Sequence, residues 1–99
     1  VKILYPTTGE TMNYKFREDK ILNEVKSYIG NTYEQHYSNG KYQATDMILD
    51  AGHGEGFAVG NIMKYAMRYG KKDGKNKSDL LKIIHYAIIA LYLQDTTDD

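Results

Sequence analysis

Hydrophobic residues recur at helical spacing along most of this chain, from about residue 17 onward. Apolar residues three and four positions apart share one face of a helix, because an α-helix turns once in about 3.6 residues. The first such pattern opens at Arg17-Glu18-Asp19, whose acidic residues suit a helix start, and we expect it to stop at Gly30-Asn31. Its apolar face consists of Ile21, Leu22, Val25, Tyr28 and Ile29.

Three further helical patterns follow the first. We expect a short helix that Thr45 caps, and then a central helix from about Phe57 to Tyr69 that Gly70 closes. Ser78 is expected to cap a last helix from about Asp79 to Gln94. The pattern therefore predicts a mainly α fold, a small helical domain of three to four helices.

The residues before the first helix have a pattern typical of strands. Val1 to Tyr5 alternate loosely, Pro6 and residues 7–9 are typical of a turn, and residues 12–16 alternate again. We expect an N-terminal β-hairpin that packs on a helix or on another subunit, because two strands alone are marginally stable. With an acidic tail at residues 94–99, the whole chain of residues 1–99 is expected to form one domain.

The central helix has two different faces. Val59, Ile62, Met63 and Ala66 form an apolar stripe, which we expect to pack on the last helix. The opposite face carries groups that donate hydrogen bonds, two of them cationic. Its members are Asn61, Lys64, Tyr65 and Arg68. Such a face suits an anionic, planar ligand such as a nucleotide, although a merely solvated polar face remains the alternative.

The last helix is apolar almost all round. A helix that is hydrophobic on every side is buried on every side, and a chain of 99 residues has little else to cover it. We therefore expect a homo-oligomer that forms through the 79–94 helix. The polar exceptions form a narrow stripe of Lys82, His85 and Tyr86.

Composition excludes several classes of protein. The formal net charge is +0, whereas domains that bind long nucleic acid usually carry a basic excess. With no cysteine there are no disulfides, thiolate zinc sites or cysteine nucleophiles, which fits a reducing cytoplasm. No run approaches the roughly 18 to 20 apolar residues that span a bilayer, so we expect no membrane association.

Two stretches are tested as chemical motifs and found weak. The glycine-rich residues 52–56 precede a helix, where free N–H groups attract anions, but the Walker spacing with its Lys-Ser/Thr is missing. We interpret them as an interhelical turn. The basic loop of residues 71–77 is either a solvated turn or an element that attracts phosphates.

Metal and catalytic chemistry find little support in the sequence. None of His36, His53 and His85 stands four positions from another histidine or a helical glutamate, so no zinc motif is present. Asp46 and Asp50 lie four residues apart and could share a site, but capping and solvation explain them more simply. We predict no catalytic residue, no metal site and no cofactor, and magnesium only for a kinase.

The polar residues of the central helix belong to a longer series of motifs. The series runs His36-Tyr37 with Gly40, Asp46-Met47-Ile48, Phe57, Gly60-Asn61-Ile62-Met63-Lys64-Tyr65 with Arg68, Gly70-Lys71-Lys72, Asp79-Leu80-Leu81-Lys82 and Tyr86. Over about residues 36–93 it resembles a small phage-encoded domain family, labelled nucleotide-kinase-like or SaV-like. Residues 1–35, with the hairpin and the first helix, lie outside the resemblance.

The resemblance implies a phage origin, an all-helical core and nucleotide binding in the cytoplasm of the infected bacterial host. It places the family's polar positions on nine residues. They are His36, Tyr37, Asn61, Lys64, Tyr65, Arg68, Lys72, Asp79 and Lys82. All of these except Asp79 are our candidate ligand-binding residues.

Three functions remain open at this point. The first is a phage nucleotide-binding protein that sequesters a nucleotide-derived signal of host immunity without chemistry. The second is a phage nucleoside monophosphate kinase, which would need a cradle for two nucleotides and a metal held by oxygen ligands. The third is a protein-binding inhibitor of a host defence enzyme, for which the ten tyrosines offer contact surface. We favour the binder, because the chain supplies cations and aromatic rings but few converging carboxylates.

Overall fold

The structure, a computed structural model, describes residues 12–39 and 41–96, without the side chains of residues 36–39 and 41–43. It contains helices α1 (Glu18–Asn39), α2 (Lys41–Asp50), α3 (Gly54–Arg68) and α4 (Lys77–Thr96). The predicted mainly α fold is confirmed. The described ranges contain no strand, and the first strand and turn of the expected hairpin lie outside them.

Helix α1 continues past the stop that the sequence indicated. Gly30 and Asn31 lie inside this 22-residue helix, so the expected end at these residues is wrong. A glycine in a helix interior costs only about 1 kcal/mol relative to alanine. The buried face offsets this cost, since Val25 is 3% exposed and Thr32 is 7% exposed. The Thr32 hydroxyl also donates a hydrogen bond of 2.7 Å to the carbonyl of Ile29.

A tight turn joins α2 to α3. Helix α2 begins at Lys41, so Thr45 lies within it and is not its cap. At its end, Gly52 N–H donates to the Leu49 carbonyl and His53 N–H donates to the Ile48 carbonyl, which is the hydrogen-bond pattern of a Schellman motif. Gly52 has φ +87, a conformation that glycine adopts without a steric penalty. The glycine-rich stretch thus begins with the helix stop that the sequence predicted, but the turn is shorter than expected, since α3 begins at Gly54 and not at about Phe57.

Helices α3 and α4 form an antiparallel pair with the most extensive contact in the described chain. The start of α3 lies against the end of α4, because a Cβ atom built on Gly54 would be 2.8 Å from Leu93 Cδ1. At the other end, Tyr65 of α3 lies against Tyr86 and Lys82 of α4. Glycine therefore permits close approach where α3 begins, and aromatic rings pack between the helices farther along.

The two faces of α3 are interchanged relative to our expectation. The buried residues of α3 are Gly54, Ala58 and Tyr65, at spacings of four and seven. Val59 and Met63 of the expected core stripe are 43% and 60% exposed. The physical reason is the close contact with α4, which requires small residues at the start of α3 and admits the large tyrosine ring farther along. The face that carries Tyr65 therefore packs on α4, and the Val59 face points away.

Asn76 caps α4, in place of the expected Ser78. The Asn76 side-chain oxygen accepts a 2.8 Å hydrogen bond from Ser78 N–H, while its carbonyl accepts one from Asp79 N–H. Helix α4 begins one residue beyond this cap, at Lys77. In the part of the chain that the structure describes, no helix has both the length and the apolarity needed to cross a membrane.

Candidate functional site

The ring of Tyr65 is the centre of the candidate site. Tyr65 is 9% exposed and stacks on Tyr86, with ring centroids 6.2 Å apart and planes 13° apart. Phe57 meets the same Tyr86 ring edge to face at 5.6 Å. Edge-to-face and offset stacked pairs at these distances stabilise the packing beyond simple burial. Tyr65 is therefore a packed part of the helix pair, not a free platform for stacking on a base.

Three cations surround this ring. The Nζ atoms of Lys64 and Lys82 lie 4.6 Å and 5.0 Å from the Tyr65 centroid, and the Arg68 Cζ atom lies 5.7 Å from it. Cations within about 6 Å of an aromatic centroid are attracted to the ring, by roughly 0.5–1 kcal/mol at exposed sites. We call Lys64, Arg68 and Lys82 with Tyr65 the cation cluster. Lys64, Tyr65 and Arg68 belong to α3, and Lys82 belongs to α4.

Within the part of the chain that the structure describes, the positive charge of the cation cluster is not neutralised by ion pairs. An ion pair does join Lys77 to Glu24, and it includes none of the three cations. No carboxylate of the described chain lies within ion-pair distance of the three cations. Like charges gathered near one ring repel one another, by about 1 kcal/mol in water for a pair 4 Å apart and by less for more distant pairs. The arrangement therefore favours binding of an anion at the cation cluster.

The structure brings together some of the predicted site residues and leaves others apart. Lys64, Tyr65, Arg68 and Lys82 meet, as described above. Asn61 does not point its amide outward, since its Nδ2 donates a 2.8 Å hydrogen bond to the Phe57 carbonyl of the same helix. Lys72 lies in the exposed loop after α3. His36 and Tyr37 belong to α1, and their side chains are outside the described residues.

Two residues of α4 matter at this site and were not among our candidates. Tyr86 stacks on Tyr65 and, at 6.3 Å, on His85. Asp79 is 4% exposed, and its Oδ2 atom is buried without a hydrogen-bond partner. The spacing of three residues between Asp79 and Lys82 was the available signal, because residues three apart lie on one helix face.

A separate groove lies between α1, α2 and α4. Its volume is about 540 Å³, and its walls are mainly apolar, with Ile29, Leu49, Ile88 and Leu93 among them. Asp46 and Asp50 both line it. Within the described ranges, no group of three or more histidine, aspartate or glutamate side chains is placed to hold a metal ion.

Comparison with known proteins identifies a family. The model of a protein family of unknown function, DUF3310, matches residues 31–88, which is more than half of the chain, so the chain belongs to this family. No curated protein and no solved structure matches.

This match corrects the resemblance drawn from the motifs. The identification with a nucleotide-kinase-like, SaV-like family is wrong, because the family model that matches is DUF3310 and no nucleotide-kinase-like family is found. The quoted motifs from His36 to Tyr86 all lie inside the residues that the DUF3310 model matches. The match also begins at Asn31, inside α1, and not at residue 36. Expectations that rested on the kinase-like label alone lose that support.

Proposed function

We propose that this DUF3310 protein binds a nucleotide, or a nucleotide-derived small molecule, and releases it unchanged. The observation that carries the proposal is the cation cluster, in which three cations lie within 5.7 Å of one ring centroid and form no ion pair with a described residue. Phosphate groups are the common biological anions that make several charge-assisted hydrogen bonds to Lys and Arg at once.

The phosphate end of such a ligand has clear recognition groups. The Arg68 guanidinium presents paired N–H donors that match two phosphate oxygens, while Lys64 and Lys82 act as point charges. All three side chains start from helices, where binding groups keep their geometry better than on loops. Binding would also relieve the repulsion among the cations, which adds to affinity without requiring further contacts.

The nucleoside end is less defined, because Tyr65 is buried and Asn61 bonds within α3. His36 and Tyr37, on the backbone of α1, remain candidates for this end. Sequestration of a nucleotide signal of host immunity is a narrower hypothesis. The signalling nucleotides in the ligand panel test it.

The test is incubation of the protein with a panel of nucleotides, including cyclic signalling nucleotides, with and without magnesium. Binding is measured by calorimetry, and the ligand is analysed by chromatography after heat denaturation. We expect one nucleotide to bind and to be recovered unchanged. A newly phosphorylated product would contradict release without chemistry, and absence of binding across the panel would contradict the proposal itself.

Matched substitutions locate the site. Lys64→Ala and Arg68→Ala should abolish binding while the free energy of unfolding changes by less than about 1 kcal/mol, as expected for polar side chains outside the core. Lys26→Ala removes an equal charge from an exposed position on α1 and should leave affinity unchanged. If the two α3 variants unfold, or if Lys26→Ala weakens binding equally, the cluster is not the binding site.

A further inference from the structure

We infer that Asp79 accepts a hydrogen bond from the nucleoside part of the ligand, so that the site selects nucleoside phosphates over bare phosphate chains. This inference rests on the proposed function, and it concerns a residue that the proposal does not use. Its starting observation is that Asp79 is 4% exposed while its Oδ2 atom has no hydrogen-bond partner.

A buried carboxylate oxygen without a donor is unusual, since nearly all buried polar atoms in folded proteins are hydrogen-bonded. Leaving such a group unpaired costs free energy, more for a charged group than for a neutral one. An aspartate in the first turn of α4 gains some stabilisation from the helix dipole. That gain does not supply the missing donor for Oδ2.

Capping does not explain Asp79 either. The N–H groups of Ser78 and Asp79 are both bonded to Asn76, one through its side chain and the other through its carbonyl. Asn76 therefore performs the capping role at this end of α4. The Oδ2 atom of Asp79 is therefore left without a hydrogen-bond partner.

The position of Asp79 connects it to the cation cluster. Asp79, Lys82 and Tyr86 stand at i, i+3 and i+7 of α4, so they lie along one face of the helix. Lys82 and Tyr86 of this face both contact Tyr65. Asp79 is therefore one helical turn from a cation that the proposal assigns to phosphate binding, yet it forms no ion pair with that cation.

The chemistry of the missing partner follows from these contacts. The partner must donate a hydrogen bond, and a deprotonated phosphate chain cannot, because its oxygens are acceptors. A sugar hydroxyl or a base N–H group is a donor, and both belong to the nucleoside. Because Oδ2 is covered in the ligand-free chain, contact requires side chains to move. Lys82, one helical turn away, carries the charge that a bound phosphate would attract.

The test compares two ligands on three proteins. Tripolyphosphate presents the phosphate chain alone, and the tightest-binding common nucleoside triphosphate presents the same chain with a nucleoside. Calorimetric affinities are measured for the unsubstituted protein, Asp79→Asn and Asp73→Asn. The last variant removes the same charge from an exposed loop residue with φ 60, a conformation that asparagine tolerates.

We expect Asp79→Asn to weaken binding of the nucleoside triphosphate by about tenfold or more, which is the range for the loss of a hydrogen bond to a charged group. Tripolyphosphate should bind this variant equally well or more tightly, because a repelling carboxylate has gone. Asp73→Asn should not separate the two ligands. The inference would be overturned if Asp79→Asn strengthened the binding of both ligands equally or weakened it equally. It would also be overturned if neither affinity changed.

A second measurement covers the case in which Asp79→Asn does not fold. The unsubstituted protein is titrated with 2′-deoxy, 3′-deoxy and base-methylated forms of the same nucleoside triphosphate. Each modified nucleotide lacks one hydrogen-bond donor, and one of them should bind about tenfold more weakly than the unmodified nucleotide. If none does, the inference is wrong while the proposed function stands, and if neither tripolyphosphate nor any nucleotide binds, the proposed function falls and the inference falls with it.

Discussion

Gly54 lies directly against Leu93, so that the start of α3 and the end of α4 pack with no space for a side chain between them. A Cβ atom on Gly54 would lie 2.8 Å from Leu93 Cδ1 and 3.1 Å from Leu49 Cγ. Both contacts are shorter than normal van der Waals separation. Three helices thus meet at one glycine, since Leu49 belongs to α2.

Substitution of this glycine should have the opposite effect from substitution of its neighbour. Gly54→Ala is expected to destabilise the protein by about 1–3 kcal/mol through overpacking, which the flexible Leu93 side chain partly relieves. Gly56→Ala, in the same helix with nothing within 4 Å of its Cβ position, should stabilise by about 0.5–1 kcal/mol. Chemical denaturation measures both. Equal effects at the two positions would contradict the close contact.

We expect the ring of Tyr65 to matter for stability and its hydroxyl to matter little. Tyr65→Ala should cost about 3 kcal/mol or more, because it removes a 9% exposed ring that stacks on Tyr86. Tyr65→Phe keeps the ring and its attraction for cations, so unfolding free energy and nucleotide affinity should both change little. Thermal melts and calorimetry test the pair. A large loss of affinity in Tyr65→Phe would mean that the hydroxyl contacts the ligand.

The start of α4 offers a test of which residue is the cap. Asn76→Ala should destabilise by about 1 kcal/mol, because it removes the acceptor of the Ser78 N–H. Ser78→Ala should change the unfolding free energy by less than about 0.5 kcal/mol, as at an ordinary surface position. Urea unfolding of the two variants distinguishes them. The reverse order would restore Ser78 as the cap.

Self-association through α4 remains a prediction, and the structure supplies the residues to test it. Leu80, Ile88 and Leu91 are 42%, 40% and 60% exposed and lie on one face of α4, away from α3. These three residues are uncharged and apolar, so they suit contact with the same residues of a second copy across a two-fold axis. We expect light scattering to show an oligomer that Ile88→Glu and Leu91→Glu dissociate.

The matched control for association uses the other exposed apolar face. Met63 and Met67 of α3 are 60% and 67% exposed, on the side that points away from α4. Met63→Glu should leave the oligomer intact. An oligomer that only the α3 variant dissociates would assign the interface to α3, and a monomer at all concentrations would end the prediction.

Much of the helical fold could be predicted from the spacing of apolar residues alone, and the errors of this prediction have local causes. Hydrophobic periodicity located the helices, but it did not set their ends, because tertiary packing carries α1 through Gly30 at a cost of only about 1 kcal/mol. Thr45 and Ser78 have the chemistry of caps, yet the caps depend on backbone geometry that the residue type does not fix.

The candidate site was predicted in composition more than in geometry. Lys64, Arg68 and Lys82 were all selected from the sequence, and the structure brings them to one ring. The burial of Tyr65 was missed because a tyrosine among polar residues has the pattern of a surface position, whereas the ring of Tyr86 on another helix decides the matter. Asp79 was set aside for the same reason, since burial is a property of the assembled helix pair.

The antiparallel arrangement of α3 and α4 determines how the protein would respond to a ligand. Lys64 and Arg68 lie on α3 and Lys82 lies on α4, so one bound anion would join both helices near one end, while Gly54 and Leu93 already hold the other. Amide hydrogen exchange should then slow in both helices together. Helix α1 contributes no member of the cation cluster and meets α4 through the exposed Glu24–Lys77 ion pair, so its exchange should slow less. Ligand binding would thus reduce the local opening of two helices without the movement of a lid or a hinge.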